Sequence, residues 1–297
     1  MEKIYPVLIV IAGLILVYIL WCLTEPFILD QDKVTLRKSS SDKSLNKGII
    51  IKRLPMTDSN VNGKPDLRFF FFSDIHAEWC PVNASRLCSA IRKAHGSTPL
   101  DAVIFGGDLI TYHKNSAMGY KYLNKVSECC KELGIPFYGI SGNHDWALED
   151  AAGSAGFTSI DNKTVDLRSH EDGKRIVLAG ISDTGRKHRV WQQMPVSSCE
   201  APVILAVHDP DAFIHLDPSN RPDIMLSGHL HGGQMKFPFR IEFTVLRKHD
   251  KLPNMGAVQG VYDISGTTLF ISRGLGCGIL PFRFLSMPEA TVVEIFV

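Results

Sequence analysis

A chain of 297 residues is long enough for one large α/β domain or two small ones, and 32 Lys+Arg against 31 Asp+Glu leave it with a formal charge of +1. That balance lacks the basic excess of a general nucleic-acid binder, so no nucleic-acid partner is expected. The seven cysteines are odd in number, show no C-x-x-C pair and include the adjacent Cys129-Cys130, which argues for free thiols in a reducing compartment over a disulfide framework.

From Ile4 to Leu23 the chain runs twenty residues without a charge, interrupted only by Pro6 and Gly13. At helical rise this covers about 30 Å, the thickness of a bilayer core. The run exceeds the apolar region of a secretory signal, no A-x-A-like site follows it, and Trp21 before Cys22 does not suit a lipoprotein cleavage site. Tyr5 and Trp21 suit the two membrane interfaces, and residues 1–24 are expected to be a transmembrane anchor. Lys33, Arg37, Lys38 and Lys43 after the span, against Lys3 before it, put the remainder of the chain in the cytoplasm by the positive-inside bias. Residues 25–47 read as a polar linker with a short strand at Val34-Thr35-Leu36, and the folded domain is expected over residues 48–297.

Leu67 to Phe72 is a continuous apolar run ended by Ser73-Asp74-Ile75-His76, which predicts a strand covered on both faces. Asn83 can cap a helix to about Ala94. Ala102 to Phe105 is a strand ended by Gly106-Gly107-Asp108; a helix follows from Ala117 to Leu133, stopped by Gly134 and Pro136. The run Pro136 to Ser141 then delivers Gly142-Asn143-His144-Asp145. Strand and helix alternating at this spacing predict βαβ units and a largely parallel sheet. Further on, Val165–Leu167 and Arg175–Ala179 form a hairpin around Glu171-Asp172-Gly173. Pro202 to Val207 ends in His208, Asp223 to Leu226 ends in Ser227-Gly228-His229-Leu230-His231, and the last strands are Thr268–Ser272 and Thr291–Phe296. Residues 234 to 262 lack periodicity and read as long loops. The fold class is α/β: two stacked mixed β-sheets with helices outside.

Five polar clusters thus stand at the ends of five apolar strands, where ligands of open sheets gather. Taken singly each has an ordinary explanation in turn or cap chemistry. Together they offer carboxylate, amide and imidazole donors without thiolate, a set suited to Mn, Fe or Zn outside a structural zinc cage.

The ordered series Asp74-x-His76, Gly107-Asp108, Gly142-Asn143-His144-Asp145, His208 and Gly228-His229-x-His231 resembles the calcineurin-like metallophosphoesterase family over residues 67 to 233. The resemblance implies two divalent metal ions, manganese first and iron or zinc next. Asp74, His76 and His231 would hold one, Asn143, His208 and His229 the other, and Asp108 both. It further implies that His144 faces the phosphoryl group as the catalytic imidazole, with Asp145 orienting it. Ser272-Arg273-Gly274-Leu275-Gly276 and the stretch from Pro281-Phe282-Arg283 to Pro288-Glu289 are similar to a membrane-anchored bacterial subgroup of phosphodiesterases and UDP-2,3-diacylglucosamine pyrophosphatases of lipid A synthesis. The expectation is therefore a single-pass protein of the bacterial inner membrane that hydrolyses a phosphodiester or pyrophosphate bond in a membrane lipid or lipid-linked nucleotide. A broad phosphodiesterase, a phosphoprotein phosphatase and a membrane-tethered scaffold are the alternatives. Arg186, Arg189, Arg240 and Arg273 are the candidate substrate-binding cations.

Overall fold

The computed structural model describes residues 4–41, 49–57, 63–146, 148, 151–185, 190–196, 200–245 and 247–297. Helix α1 (Ile4–Thr24) is apolar around its whole circumference and exposed along nearly all of it. Its length and composition suit a membrane span or an N-terminal signal sequence. Pro6 falls in its first turn, where a missing N–H costs nothing.

The chain continues through β1 (Lys33–Arg37), β2 (Ile51–Leu54), β3 (Leu67–Phe72), α2 (Ala84–Ser97), β4 (Ala102–Phe105), α3 (Ser116–Leu133), β5 (Phe137–Gly139), α4 (Ala151–Ala155), β6 (Thr158–Ser159), β7 (Thr164–Arg168) and β8 (Arg175–Ile181). It closes with β9 (Val203–Val207), α5 (Ala212–His215), β10 (Ile224–Ser227), α6 (Ile241–Thr244), α7 (Lys251–Asn254), β11 (Gly260–Ile264), β12 (Thr267–Ile271) and β13 (Thr291–Phe296). Helix α2 starts where expected because the Asn83 side chain accepts the Arg86 N–H at 3.0 Å. Helix α3 stops at Gly134, which takes the left-handed conformation (φ 69°) that a side chain would resist.

The strands form a six-stranded sheet, β1-β13-β3-β4-β5-β6, and a seven-stranded sheet, β2-β11-β12-β10-β9-β8-β7. Each has a parallel centre: β3, β4, β5 and β6 in the first, β12, β10, β9 and β8 in the second. The expected sandwich of two mixed sheets flanked by helices is what the chain adopts. Alternation along β3 shows why its apolar run is continuous. Phe69 and Phe71 point into the core between the sheets, with Phe71 edge-on to Phe270 at 6.1 Å, while Phe70 and Phe72 pack under α2 and α3. A third core, with Phe213, Phe243 and Leu252, covers the outer face of the second sheet.

The short strand expected at Val34-Thr35-Leu36 is β1, but the described part of residues 25–47 packs into the domain and is not a free linker. Glu25 is buried, and β1 pairs in parallel with β13, from Lys33 beside Val292 to Arg37 beside Phe296. Val34 and Leu36 are fully buried with Val293 and Ile295, a partnership between chain ends that no local pattern reveals. Residues 234–262, read as loops, hold α6, α7 and the first residues of β11, whose antiparallel partners are β12 and β2. Among the described cysteines, six are free thiols; Cys199 lies outside the described residues.

Candidate metal centre

The carboxyl ends of β3, β4, β5, β9 and β10 meet at one edge of the sandwich, and the turns there bear the candidate ligands. These turns are tight. Asp74, His76, Asp108, His229 and His231 have φ between 42° and 70°, the left-handed region, so five of the seven candidate ligands sit in backbone that L-residues avoid. Each costs about 1–2 kcal/mol, and such outliers gather where surrounding structure enforces a functional geometry. The enforcement is visible: the Asp74 N–H donates to Gly107 O at 2.8 Å and the His76 N–H to Asp108 O at 3.2 Å. A Cβ on Gly142 would lie 2.2 Å from Asp108 Oδ1, and one on Gly228 would lie 2.4 Å from Asp74 Oδ2. Only glycine lets these loops close on the carboxylates.

Two buried triads result, Asp74/His76/His231 and Asp108/His208/His229, each with its donor atoms within 4.8 Å of one another. Asp108 Oδ2 stands between them, 3.6 Å from His76 Nε2 and 3.1 Å from His208 Nε2. Asp74 Oδ1 lies 3.4 Å from His231 Nε2, and His229 Nδ1 lies 3.2 Å from His208 Nε2. Asn143 is buried in the same region, and its Oδ1 and the Nε2 of His76 are buried polar atoms with no hydrogen-bond partner. Burying such atoms unpaired is costly unless they serve a ligand. Orphaned donors plus a shared carboxylate fit a pair of divalent cations.

The far side of each ring is engaged, as metal-ligating imidazoles require. His208 Nδ1–H donates to Gly106 O at 2.8 Å, which leaves Nε2 facing the centre. His76 Nδ1 pairs with Thr111 Oγ1 at 3.1 Å. His229 Nε2 faces Asp209 Oδ2 at 3.5 Å and Arg247 Nη2 at 2.5 Å, and Arg283 Nη2 stands 3.5 Å from His231 Nδ1. None of Thr111, Asp209, Arg247 and Arg283 was singled out as a site residue from sequence. Arg283 carried a signal only as part of the Pro281-Phe282-Arg283 stretch.

Burial drives the electrostatics. It pushes His76 down to about 4 and His231 well below its usual range, keeping both neutral. Burial raises the Asp74 carboxyl, with the Asp108 charge adding to it and His208 opposing. For His208 burial acts downward, but the carboxylates of Asp108 and Asp74 overcome it and raise the imidazole to about 10. Asp108 is correspondingly held well below the carboxylate range, its own burial outweighed by His208. In the protein alone, Asp108 and His208 form a buried ion pair.

Two sequence expectations change. Asp145 acts on His144 through the backbone and not through its ring: its carboxylate accepts the backbone N–H groups of Asp108 (2.8 Å), Leu109 (2.9 Å) and Gly142 (2.9 Å), stapling the β4 turn to the β5 turn. His144 is held instead by Thr111 O, 3.1 Å from its Nδ1, and by its own N–H on Asp108 Oδ1 at 2.9 Å. Its ring stands edge-on to His76, centroids 5.2 Å apart. The substrate cations also change. Arg273 is locked to Asp30 at 2.6 Å and Glu289 at 3.3 Å, and Arg240 bonds Pro253 O, so both serve the scaffold. Arg186 and Arg189 lie outside the described residues.

A two-sheet α/β sandwich carrying two histidine–carboxylate triads joined by one aspartate defines a metal-dependent hydrolase of the phosphoesterase class. Comparison with known proteins agrees. The family model for calcineurin-like phosphoesterases matches residues 67–233, and the chain belongs to that family; it is a phosphoester hydrolase. An uncharacterised metallophosphoesterase of Bacillus subtilis, YkuE, is 31% identical over 203 residues, covering 65% of this chain and 66% of that one. The uncharacterised B. subtilis protein YpbG is 26% identical, covering 84% and 88%. Phosphodiesterase YaeI of Escherichia coli is 24% identical, covering 77% and 82%.

Proposed function

We propose that the protein is a membrane-anchored hydrolase of phosphodiester or pyrophosphate bonds. The observation that carries this is the pair of buried triads sharing Asp108, because a charged phosphoryl group repels nucleophiles and needs concentrated positive charge to be attacked. Asp74, His76, Asp108, Asn143, His208, His229 and His231 would hold two divalent cations, which would supply Lewis-acid activation of water and neutralise phosphoryl oxygens. Asp108, whose Oδ2 stands between His76 Nε2 and His208 Nε2, would serve both cations. His144 Nδ1–H is committed to Thr111 O, so Nε2 is the nitrogen available to the substrate. Protonated there, it gives a proton to the leaving oxygen or stabilises charge developing on it. Asp145, by fixing both turns, keeps His144 and Asp108 in register.

Manganese is the first cation to supply. The similarity to a protein named as a phosphodiesterase supports diester cleavage, and α1 supports a substrate at a membrane. UDP-2,3-diacylglucosamine, a lipid-linked pyrophosphate, is the specific candidate. Product analysis with manganese-supplied protein tests it: UMP released from the lipid nucleotide supports the reading. Turnover confined to simple aryl phosphodiesters would leave a broad phosphodiesterase, and inorganic phosphate from phosphopeptides would favour a protein phosphatase.

Lys33, Arg37, Lys38 and Lys43 support a domain facing the cytoplasm of a bacterial inner membrane. A membrane-impermeant thiol reagent should leave the protein of intact cells unlabelled under denaturing quench, and labelling from outside would reverse the orientation.

A further inference from the structure

Beside the centre lies an apolar rim that the proposed chemistry does not use: Phe237, Phe239, Ile241 and Val245 on one segment, Ile279 and Leu280 on another, all exposed. Phe239 is 92% exposed and is presented by two consecutive left-handed residues, Phe239 (φ 59°) and Arg240 (φ 58°). A strained backbone that holds an aromatic ring out in solution needs a partner to explain it.

The rim is continuous with α1. Tyr18 of α1 packs edge-on against Phe284, centroids 4.8 Å apart, and the Arg283 N–H donates to Cys22 O at 3.2 Å. Glu25, at the foot of the helix, accepts the N–H of Leu285 at 2.8 Å and also that of Ser286. Phe284 in turn pairs with the other segment: its N–H donates to Gln234 O at 2.9 Å, and the Lys236 N–H donates to Phe284 O at 3.1 Å. Gln234 Nε2 bonds Leu280 O at 2.9 Å. The same unit reaches the metal ligands, since Ser286 Oγ–H donates to His231 O at 2.6 Å. On the same segment Lys248 and Lys251 are exposed, cationic side chains suited to anionic headgroups.

We propose that this rim is a second contact with the lipid bilayer, which seats the metal centre at the membrane interface so that it takes amphiphilic phosphoesters directly from the lipid phase. The inference rests on α1 being a membrane anchor. Through the Glu25 and Phe284 contacts, the helix holds the rim at a set position rather than leaving it on a loose tether.

The test uses the full chain in nanodiscs of phosphatidylcholine and phosphatidylglycerol. Single substitutions Phe239→Cys, Leu280→Cys, Leu14→Cys within α1, and Glu171→Cys at the β7–β8 turn are each labelled with a polarity-sensitive fluorophore, and the signal of the equally treated parent chain is subtracted. Quenching is read with lipids bearing a nitroxide near the headgroup end of the acyl chain. Labels at Phe239 and Leu280 should be quenched at least twofold more than the label at Glu171. If Leu14 is quenched while Phe239 and Leu280 behave like Glu171, the anchor stands and the rim contact is overturned. If Leu14 also behaves like Glu171, the anchor reading falls and the rim contact with it. Blue-shifted emission at Phe239 without lipid quenching would mean that protein covers the rim and would overturn the lipid contact.

Discussion

Two histidines one loop apart from the shared carboxylate have opposite duties, and physical chemistry separates them. His208 donates Nδ1–H to a carbonyl and turns Nε2 to Asp108 Oδ2, whereas the His144 backbone N–H donates to Asp108 Oδ1 and its ring Nδ1 faces Thr111 O. Replacing His144 by Ala should therefore lower kcat by roughly 10²–10⁴ with both cations retained by metal analysis. Asp108→Ala should lose the cations along with the activity. Retention in Asp108→Ala with loss in His144→Ala would reverse the assignment. Asp145 poses a different question, because three backbone N–H groups depend on it. Asp145→Asn should lower stability by roughly 2–5 kcal/mol, read as a drop in denaturation midpoint. A kcat effect with an unmoved midpoint would instead restore the expected orienting role toward His144.

Strand β1 is expected at Val34-Thr35-Leu36, and the disagreement at the scale of elements lies in where it packs. Its sequence, flanked by charge and close to the apolar helix, reads as part of a linker, yet Leu36 is fully buried between the sheets. Leu36→Ala should cost roughly 2–5 kcal/mol, measured by denaturant unfolding, where a linker residue would leave stability within about 0.5 kcal/mol. The contrast with β3 is instructive. Phe69, Phe70, Phe71 and Phe72 announce a doubly covered strand without help, because four consecutive aromatic rings cannot be left in water. Val34 and Leu36 alternate with polar neighbours and need β13, more than 250 residues away, before burial makes sense of them. Short α6 and α7, four residues each, are too short to repeat the helical period, and their Phe243 and Leu252 become core only over the second sheet.

For the molecule as a whole, the two sheets bring acidic and imidazole groups into one buried space, and the balance of protons there governs cation uptake. The Asp108 and Asp74 charges raise His208 to about 10, so the neutral protein keeps a proton on it that a cation must displace. A group protonated in the free protein and deprotonated in the loaded one makes affinity rise with pH. Manganese titrated into weakly buffered protein should release protons. Its apparent affinity should fall about tenfold per pH unit for each proton displaced as pH drops below about 10. Uptake without proton release would show that His208 is neutral in the free protein. Removal of the cations by a chelator should lower the denaturation midpoint, since a ligand of the folded state alone stabilises it by mass action.

By itself the sequence determined the sandwich class and most strand positions, and its resemblance to a known family supplied the seven candidate ligands. Each stands within five residues of the end of an apolar strand, so local chemistry marks the region and the ordered motif marks the residue. Only the tertiary structure decided what their neighbours do. It gave Asp145 to backbone N–H groups, Arg273 to Asp30 and Glu289, Glu25 to the amides after Phe284, and Thr111 to both His76 and His144. The reason is physical: strand and turn propensities act between residues a few positions apart, whereas ion pairs and side-chain hydrogen bonds form between whatever groups folding brings within about 3 Å.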